Sequence, residues 1–404
     1  MTTLEQKRKI AAQQETALPY PTTAEYWRRT HFARANLAQF KHLEKEIQVD
    51  QKASDFLPNN MTFSGEILFG EQCSAPILSE DLKKQGVILL HLKDAIEQYG
   101  DLVLKYLGRG LKDKQHEKFW LQNEAYWQTG VFCYIPANVV VENSILLVQS
   151  FTQPQQSLFA RTVIVVGKNA QLNLVSLNHS SKETEKNYTN NVIETYLDDG
   201  AHLEWVDVQN FSLATYETTL KHTELSANSN LKWFMDLRGG AMAKTDVETL
   251  LQGENAHAEI IGLVAAKQKQ HLELCTWTHH KSPHTTADIL VKGTVNDKAK
   301  TVFQGMIKID KPAQFTESYM ANHNLLLSEQ AHTDSIPRLE IEADEVKASH
   351  GATIGQVDKE QMFYLNSRGF SKQAAEQLLV QGFCEDVFAK VSNETTRDWL
   401  RQIV

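Results

Sequence analysis

Six stretches of this sequence align on one small residue: Gly167–Val175 (GKNAQLNLV), Asp198–Val206 (DDGAHLEWV), Ser226–Phe234 (SANSNLKWF), Gly253–Ile261 (GENAHAEII), Asn296–Gln304 (NDKAKTVFQ) and Ser328–Ile336 (SEQAHTDSI). Each opens on a polar turn, passes the small residue and continues in alternating positions biased to apolar or small side chains. The small residues are Ala170, Ala201, Ser229, Ala256, Ala299 and Ala331, spaced 31, 28, 27, 43 and 32 residues apart. Alternation at period two is a strand signal. A repeat of about 30 residues built from such strands indicates a solenoid whose coils stack on one another. The small residue after the turn lets the chain bend tightly over the coil below. The 43-residue interval holds His279-His280-Lys281-Ser282-Pro283-His284 and contains an inserted loop or an extra half-coil. A β-sandwich with alanine after its turns is the alternative to a β-helix.

Outward from these repeats the chain divides into three. Residues 129–356 carry the strand punctuation, with runs at Val139–Val148, Thr162–Val166, Leu172–Leu177, Asn191–Leu197 and Ile289–Val291 and little proline to interrupt them. Residues 1–128 read as mostly helical. Thr22-Thr23 are placed to cap a helix over Ala24–Arg29, Ala35–Val49 continues in helix formers, and Ile96–Leu107 and His116–Trp127 have helical apolar spacing; Phe63–Phe69 reads as a strand. Residues 357–404 are helical again. Asp358–Ser367 ends before Arg368-Gly369, Ser371 caps a helix to Lys390 with Ala374, Ala375, Leu378, Leu379, Phe383 and Val387 on its apolar face, and Asn393 caps a last one. That tail packs back on the first region or docks a partner protein.

Composition narrows the function classes. The chain has 41 basic and 50 acidic residues, a net charge of -9, so the basic footprint that nucleic-acid binding needs is missing. Lys7-Arg8-Lys9 reads as a solvated helix face. No apolar run approaches the roughly 20 residues of a membrane span, and no apolar segment follows the N-terminal basic residues as in a secretory signal. Cys73, Cys133, Cys275 and Cys384 are scattered, without C-x-x-C or metal-type spacing. The expectation is a soluble protein of the reducing cytoplasm whose cysteines are buried small hydrophobes.

Catalytic motifs are missing. Gly167-Lys168 lacks the other residues of a phosphate-binding loop, and Gly108-x-Gly110 has no third glycine. Neither a G-x-S-x-G elbow nor H-E-x-x-H occurs. His279, His280 and His284 are close enough in sequence to bind a transition metal, but a plain polar loop beside Pro283 is the preferred reading. On its own, His350 reads as structural.

The C-terminal stretch adds a resemblance. Leu325–Ser328, Pro337–Ile341 and Ala343–Lys347 run into Ser349-His350-Gly351-Ala352-Thr353-Ile354-Gly355, followed by Phe363-Tyr364-Leu365 and Ser367-Arg368-Gly369. In this order they resemble the signature of the SufB/SufD family, and the S-H-G-A-T form points to its SufD branch. Pro21-Thr22, Glu25, Trp27-Arg28, Thr30, Gly130–Pro136, Lys292-Gly293, Phe303-Gln304-Gly305, Ala313-Gln314 and Thr316 extend the resemblance over most of the chain. It implies a right-handed parallel β-helix flanked by helical regions. It also implies a non-catalytic scaffold for iron–sulfur cluster assembly and iron acquisition, with SufB paired through the β-helix ends and the ATPase SufC bound by the C-terminal helices. ATP then enters through SufC alone. No cofactor is held tightly by the isolated chain; a transient cluster or iron is shared with SufB. The resemblance assigns His350 to the cluster at the SufB interface, and Phe363, Tyr364, Arg368, Leu378 and Phe383 are the expected SufC contacts. Many relatives carry cysteine where this sequence has Ala348, so no thiolate comes from that position. A homodimer in isolation, or a SufB-like homodimeric scaffold, is the competing expectation; a secreted carbohydrate-active β-helix is the more distant one.

Overall fold

The computed structural model describes residues 4–22, 24–110, 116–180 and 185–403. In chain order the first region holds α1 (Leu4–Ala17), β1 (Lys41–His42), β2 (Ile47–Gln48), β3 (Gly65–Gly70), β4 (Gln72–Cys73), β5 (Ile77–Leu78), α2 (Glu80–Lys84), β6 (Ile88–His91), α3 (Leu92–Tyr106) and α4 (Glu117–Tyr126). The strands β7 (Val131–Ile135), β8 (Ile145–Ser150), β9 (Gln156–Val166), β10 (Gln171–His179), β11 (Asn187–Leu197), β12 (His202–Asn210), β13 (Thr215–Leu225) and β14 (Asn230–Leu237) follow. The series continues as β15 (Met242–Leu251), β16 (His257–Ala266), β17 (His271–His280), β18 (Thr286–Val295), β19 (Lys300–Ile309), β20 (Glu317–Leu326), β21 (His332–Ile341) and β22 (Lys347–Gln356). Three helices end the chain: α5 (Lys359–Ser367), α6 (Lys372–Phe388) and α7 (Glu394–Ile403).

From β7 onward, successive strands alternate between two sheets, and each strand pairs parallel with the one two places on. The odd strands run in order from β7 to β21 and the even ones from β8 to β22. One coil is therefore one odd and one even strand. The repeat residues explain the corners. Ala170, Ala201, Ser229 and Ala256 are fully buried, and each follows a residue in the left-handed region: Asn169, Gly200, Asn228 and Asn255. Glycine and asparagine adopt that conformation at least cost. Asparagine side chains also bond along this corner column, Asn169 to Asn138 and Asn255 to Asn228, each at 3.3 Å.

The 43-residue interval is an extra half-coil, not an insertion. The first four aligned segments lead into even strands β10, β12, β14 and β16, whereas Ala299 and Ala331 lead into odd strands β19 and β21. In the even series the column continues through Thr285 and Thr316, whose hydroxyls lie 3.1 Å apart.

Three apolar layers result. Between the sheets lies a core that includes the stacked Trp205 and Trp233, with ring centroids 4.5 Å apart. Residues 26–40 with α3 and α4 cover the outer face of the odd sheet. The outer face of the even sheet is covered by Ala53, Leu57 and the helices α6 and α7, through Cys384, Val387, Phe388, Val391, Trp399 and Leu400. The tail therefore packs on the coil itself, not on the first region. Ser371 and Asn393 cap as the sequence indicates, accepting from the amides of Ala374 and Thr396, and Asp358, read as the first helical residue, is instead the cap of α5, accepting from the amide of Glu360.

The first region departs most from expectation. Its longer helices are α1, α3 and α4; Ala24–Thr30 forms turns, and residues 35–49 form short 3-10 turns and two-residue strands. Thr23 lies outside the described residues. Three of the strands join the coil, β1 beside β9, β3 beside β8 and β6 antiparallel to β7. The last two lie at its first end. With β5 and α2 they plug that end, sending Leu78, Leu82, Val87 and Leu89 into the inner core. Arg8 is not simply solvated: it donates to the carbonyls of Ala125 and Trp127 at 3.2 and 2.7 Å. Gly130, where the strand character begins, has a φ of +143°, and a Cβ there would lie 1.7 Å from the Arg161 carbonyl oxygen. Only glycine fits.

Candidate functional site at the open end of the coil

Among the described residues the opposite end has no such plug. β21 pairs only with β19 and β22 only with β20, so both sheets end in unpaired strands. Unpaired N–H and C=O groups make such an edge a template for another chain. Pro337 sits within β21, a position that a sheet admits at its edge. β22 has no proline.

His350 lies on β22 in register with Met320. Following that register inward gives Ile289, Ile260, Trp233 and Trp205, all in the inner core. The imidazole therefore occupies the last rung of an inner column and is exposed because no further coil covers it. It makes no hydrogen bond or ion pair among the described residues. Ala348, two residues before, packs half-buried on the core. Exposed Tyr319, Ile341 and Ile354 lie on the last strands around this mouth.

No cysteine reaches it. All four are free and buried. Burial pushes the Cys73 thiol up to about 11 and those of Cys133 and Cys384 up to about 12. It also raises Cys275 well above its ordinary value. A protonated, buried thiol is a poor metal ligand. None of the four thiols is therefore offered at this end, where His350 is the imidazole on the terminal strand β22, with half-buried His323 and exposed His332 on the neighbouring strands β20 and β21.

The histidines of the extra half-coil do not converge. His279 pairs with Asp310 one coil on, at 2.8 Å. His280 is buried against the Thr285 and Ser318 hydroxyls, and its burial lowers its pKa to about 3. His284 stacks on Phe315, centroids 5.0 Å apart, as the aromatic end of the corner column. Among the described residues no group of three or more His, Cys, Asp or Glu side chains is placed to hold a metal. Gly167-Lys168 is a coil corner whose glycine packs on the backbone of Ile135–Ala137.

The expected partner contacts split. Phe363 and Tyr364 are 75% and 55% exposed on α5, a helix with no buried residue, and Arg368 lies 5.2 Å from the Tyr364 ring centre. Leu378 is 43% exposed, so it does not join the buried face of α6, which is Ala375, Cys384, Val387 and Phe388. Phe383 instead turns to the coil, where Lys292 lies over its ring at 4.5 Å and donates to its carbonyl at 2.7 Å.

Sequence reading missed a buried charged cluster on the outer face of the odd sheet. Lys244 reaches Glu273, Asp246 at 3.3 Å and the Cys275 sulfur at 2.8 Å, beneath the rings of Tyr26 and Trp27. Burial alone would lower the Lys244 pKa; Asp246, Cys275 and Glu273 reverse that and hold it above its ordinary value. The available signal was charge at alternate strand positions, which also marks a solvated face.

Comparison with known proteins gives two family matches. Residues 1–147 match the SufBD protein N-terminal region, and residues 149–383 match the SUF system FeS cluster assembly SufBD core domain. The chain is 25% identical over 308 residues to an iron–sulfur cluster assembly SufBD family protein of Staphylococcus aureus and, equally, to iron–sulfur cluster assembly protein SufB of Bacillus subtilis. Each match spans 76% of this chain and 66%, just under two thirds, of the relative. Among the described residues no helix is long and apolar enough to cross a membrane.

Proposed function

The chain belongs to the SufB/SufD family of iron–sulfur cluster assembly proteins, and from that premise we propose that it is a SufD-type scaffold subunit whose cluster site is half-built. One observation carries the reading: the open end presents an unencumbered imidazole, His350, with no thiolate on this chain to accompany it. Imidazole replaces thiolate in some natural iron–sulfur centres. The remaining ligands must come from whatever covers the mouth. A SufB-type coil end, with edge strands of its own, is the partner this reading assigns. The nascent cluster or iron is cargo, held between the two subunits and not by the isolated chain.

The helices α5–α7 are the docking element for the ATPase SufC. The apolar exposure of Phe363, Tyr364 and Leu378 supports this. The chain is not an enzyme; ATP hydrolysis by SufC moves the helices and, through them, the mouth. Parallel crossovers are right-handed in about 98% of cases, so the coil is read as right-handed. Four free cysteines suit the cytoplasm.

A second reading, a SufB-like homodimer that owns its cluster, draws on the SufB name of one relative. The buried thiols count against it, although two copies could still pair mouth to mouth in isolation. Purified chain mixed with SufB-type and SufC-type subunits tests the proposal. It should co-elute with both and hydrolyse no ATP alone; a stable, visible-absorbing cluster on the chain alone would favour the homodimer.

A further inference from the structure

The segment from Glu25 to Thr30 crosses the outer face of the odd sheet towards its open edge. At the inner side Thr30 bonds to Glu273 and, at 2.6 Å, to His271, both on β17. The Tyr26 carbonyl accepts from Gln304 on β19 at 3.0 Å and from Lys244 on β15 at 3.5 Å. At the outer side Glu25 pairs with Arg338 at 3.1 Å and Arg29 with Asp334 at 4.0 Å, both on β21. Gln304 and Lys300 of β19 hold the same two residues, at 3.4 Å to Arg338 and 3.1 Å to Asp334. One short segment therefore touches four successive odd strands, a reach of about 14 Å at the usual strand spacing. It is fixed firmly at its buried end, where Trp27 and Thr30 are almost completely enclosed.

β21 needs such support. It has one ladder neighbour, an internal proline and a largely half-exposed surface. The strands β21 and β22 together form the rim of the mouth, so the position of β21 sets how a second coil end can seat there. We propose that residues 25–30 are a brace that holds β21 in place through Glu25–Arg338 and Arg29–Asp334, and so presets the mouth for its partner. The partner half of this inference rests on the docking reading above; the brace itself does not.

The test uses the full chain, and its first variant, Glu25→Gln with Arg29→Gln, leaves the sequence of β21 untouched. Backbone hydrogen exchange over residues 332–341 is compared with that over residues 187–197, deep in the same sheet. Losing two partly exposed pairs should speed exchange in β21 by roughly threefold to tenfold, with the reference strand unchanged. Association with a SufB-type subunit should weaken by a similar factor. A charge reversal, Glu25→Arg with Arg338→Glu, should restore protection that Glu25→Arg alone removes. Unchanged exchange in β21 overturns the brace. Faster exchange with unchanged association overturns its role in docking, and a wild-type chain that binds no partner overturns the docking reading while the exchange result still judges the brace.

Discussion

Replacing Glu217 by glutamine should remove a pH dependence of stability that the wild-type chain carries. Glu217 lies on β13, fully buried, and accepts from Thr219 at 2.7 Å and from Gln209. The cation on the same strand, Lys221, is engaged by Asp207. Burial pushes the Glu217 carboxyl from 4.5 up to about 7, against the pull of Thr219, Gln209 and Lys221, with Asp207 adding to the rise. The folded state thus keeps a proton that the unfolded chain has lost between about pH 4.5 and 7. Stability is fully present below that window and is lost as pH rises through it. At about 1.4 kcal/mol per tenfold change, the loss is on the order of 3 kcal/mol. For a chain of 404 residues that corresponds to about 3–4 °C in Tm. Glutamine cannot ionise, although it accepts less well from two donors, a pH-independent cost of about 1 kcal/mol. Calorimetry of both proteins from pH 4.5 to 8 should therefore show the variant gaining about 3 °C on the wild type as pH rises. A difference that stays flat across that range would refute the buried-carboxylate argument.

Two further outcomes follow from burial and exposure. Phe383→Ala, which opens a packed position against Lys292, should lower stability by about 1–3 kcal/mol, whereas Phe363→Ala with Tyr364→Ala should leave the melting curve nearly unchanged and weaken SufC-type binding by about 2 kcal/mol or more; calorimetry and titration separate the two. Alkylation followed by mass spectrometry should label none of the four cysteines quickly until denaturant is added, because each is buried with a raised pKa, and one fast-reacting thiol would contradict the half-site.

The coil was legible because its signal is repeated. A small residue behind a turn, met six times, outweighs local ambiguity, and the irregular spacing at Ala299 encoded a change of sheet, not an insertion. The end helices were legible through their caps. What failed was non-repeating. Ala24–Arg29 has helical composition, but Tyr26, Trp27 and Thr30 are held as turns by the charged cluster on β15–β19, residues more than 200 positions away. Tertiary contacts override propensity there. Spacing put Leu378 on one apolar face of α6 but cannot say which part of that face the coil covers; Leu378 is left exposed. The histidines of residues 279–284 read as a polar loop in preference to a metal site; strand alternation and the corner send them in different directions, His279 and His280 on β17 and His284 at the corner. His350 had no signal in spacing or composition and was singled out only by the family resemblance of its motif; its place on the last rung of an inner column is visible only once the register is known.

The most direct test of the account is cluster formation on the assembled complex. Wild-type chain and His350→Ala are each combined with SufB-type and SufC-type subunits, and anaerobic iron–sulfur reconstitution is followed by visible absorption and iron content. The account predicts that both assemble equally, because His350 is exposed and bears no packing load, and that the variant complex builds markedly less cluster. Equal cluster on equal complexes would contradict it, returning His350 to a bystander at the rim.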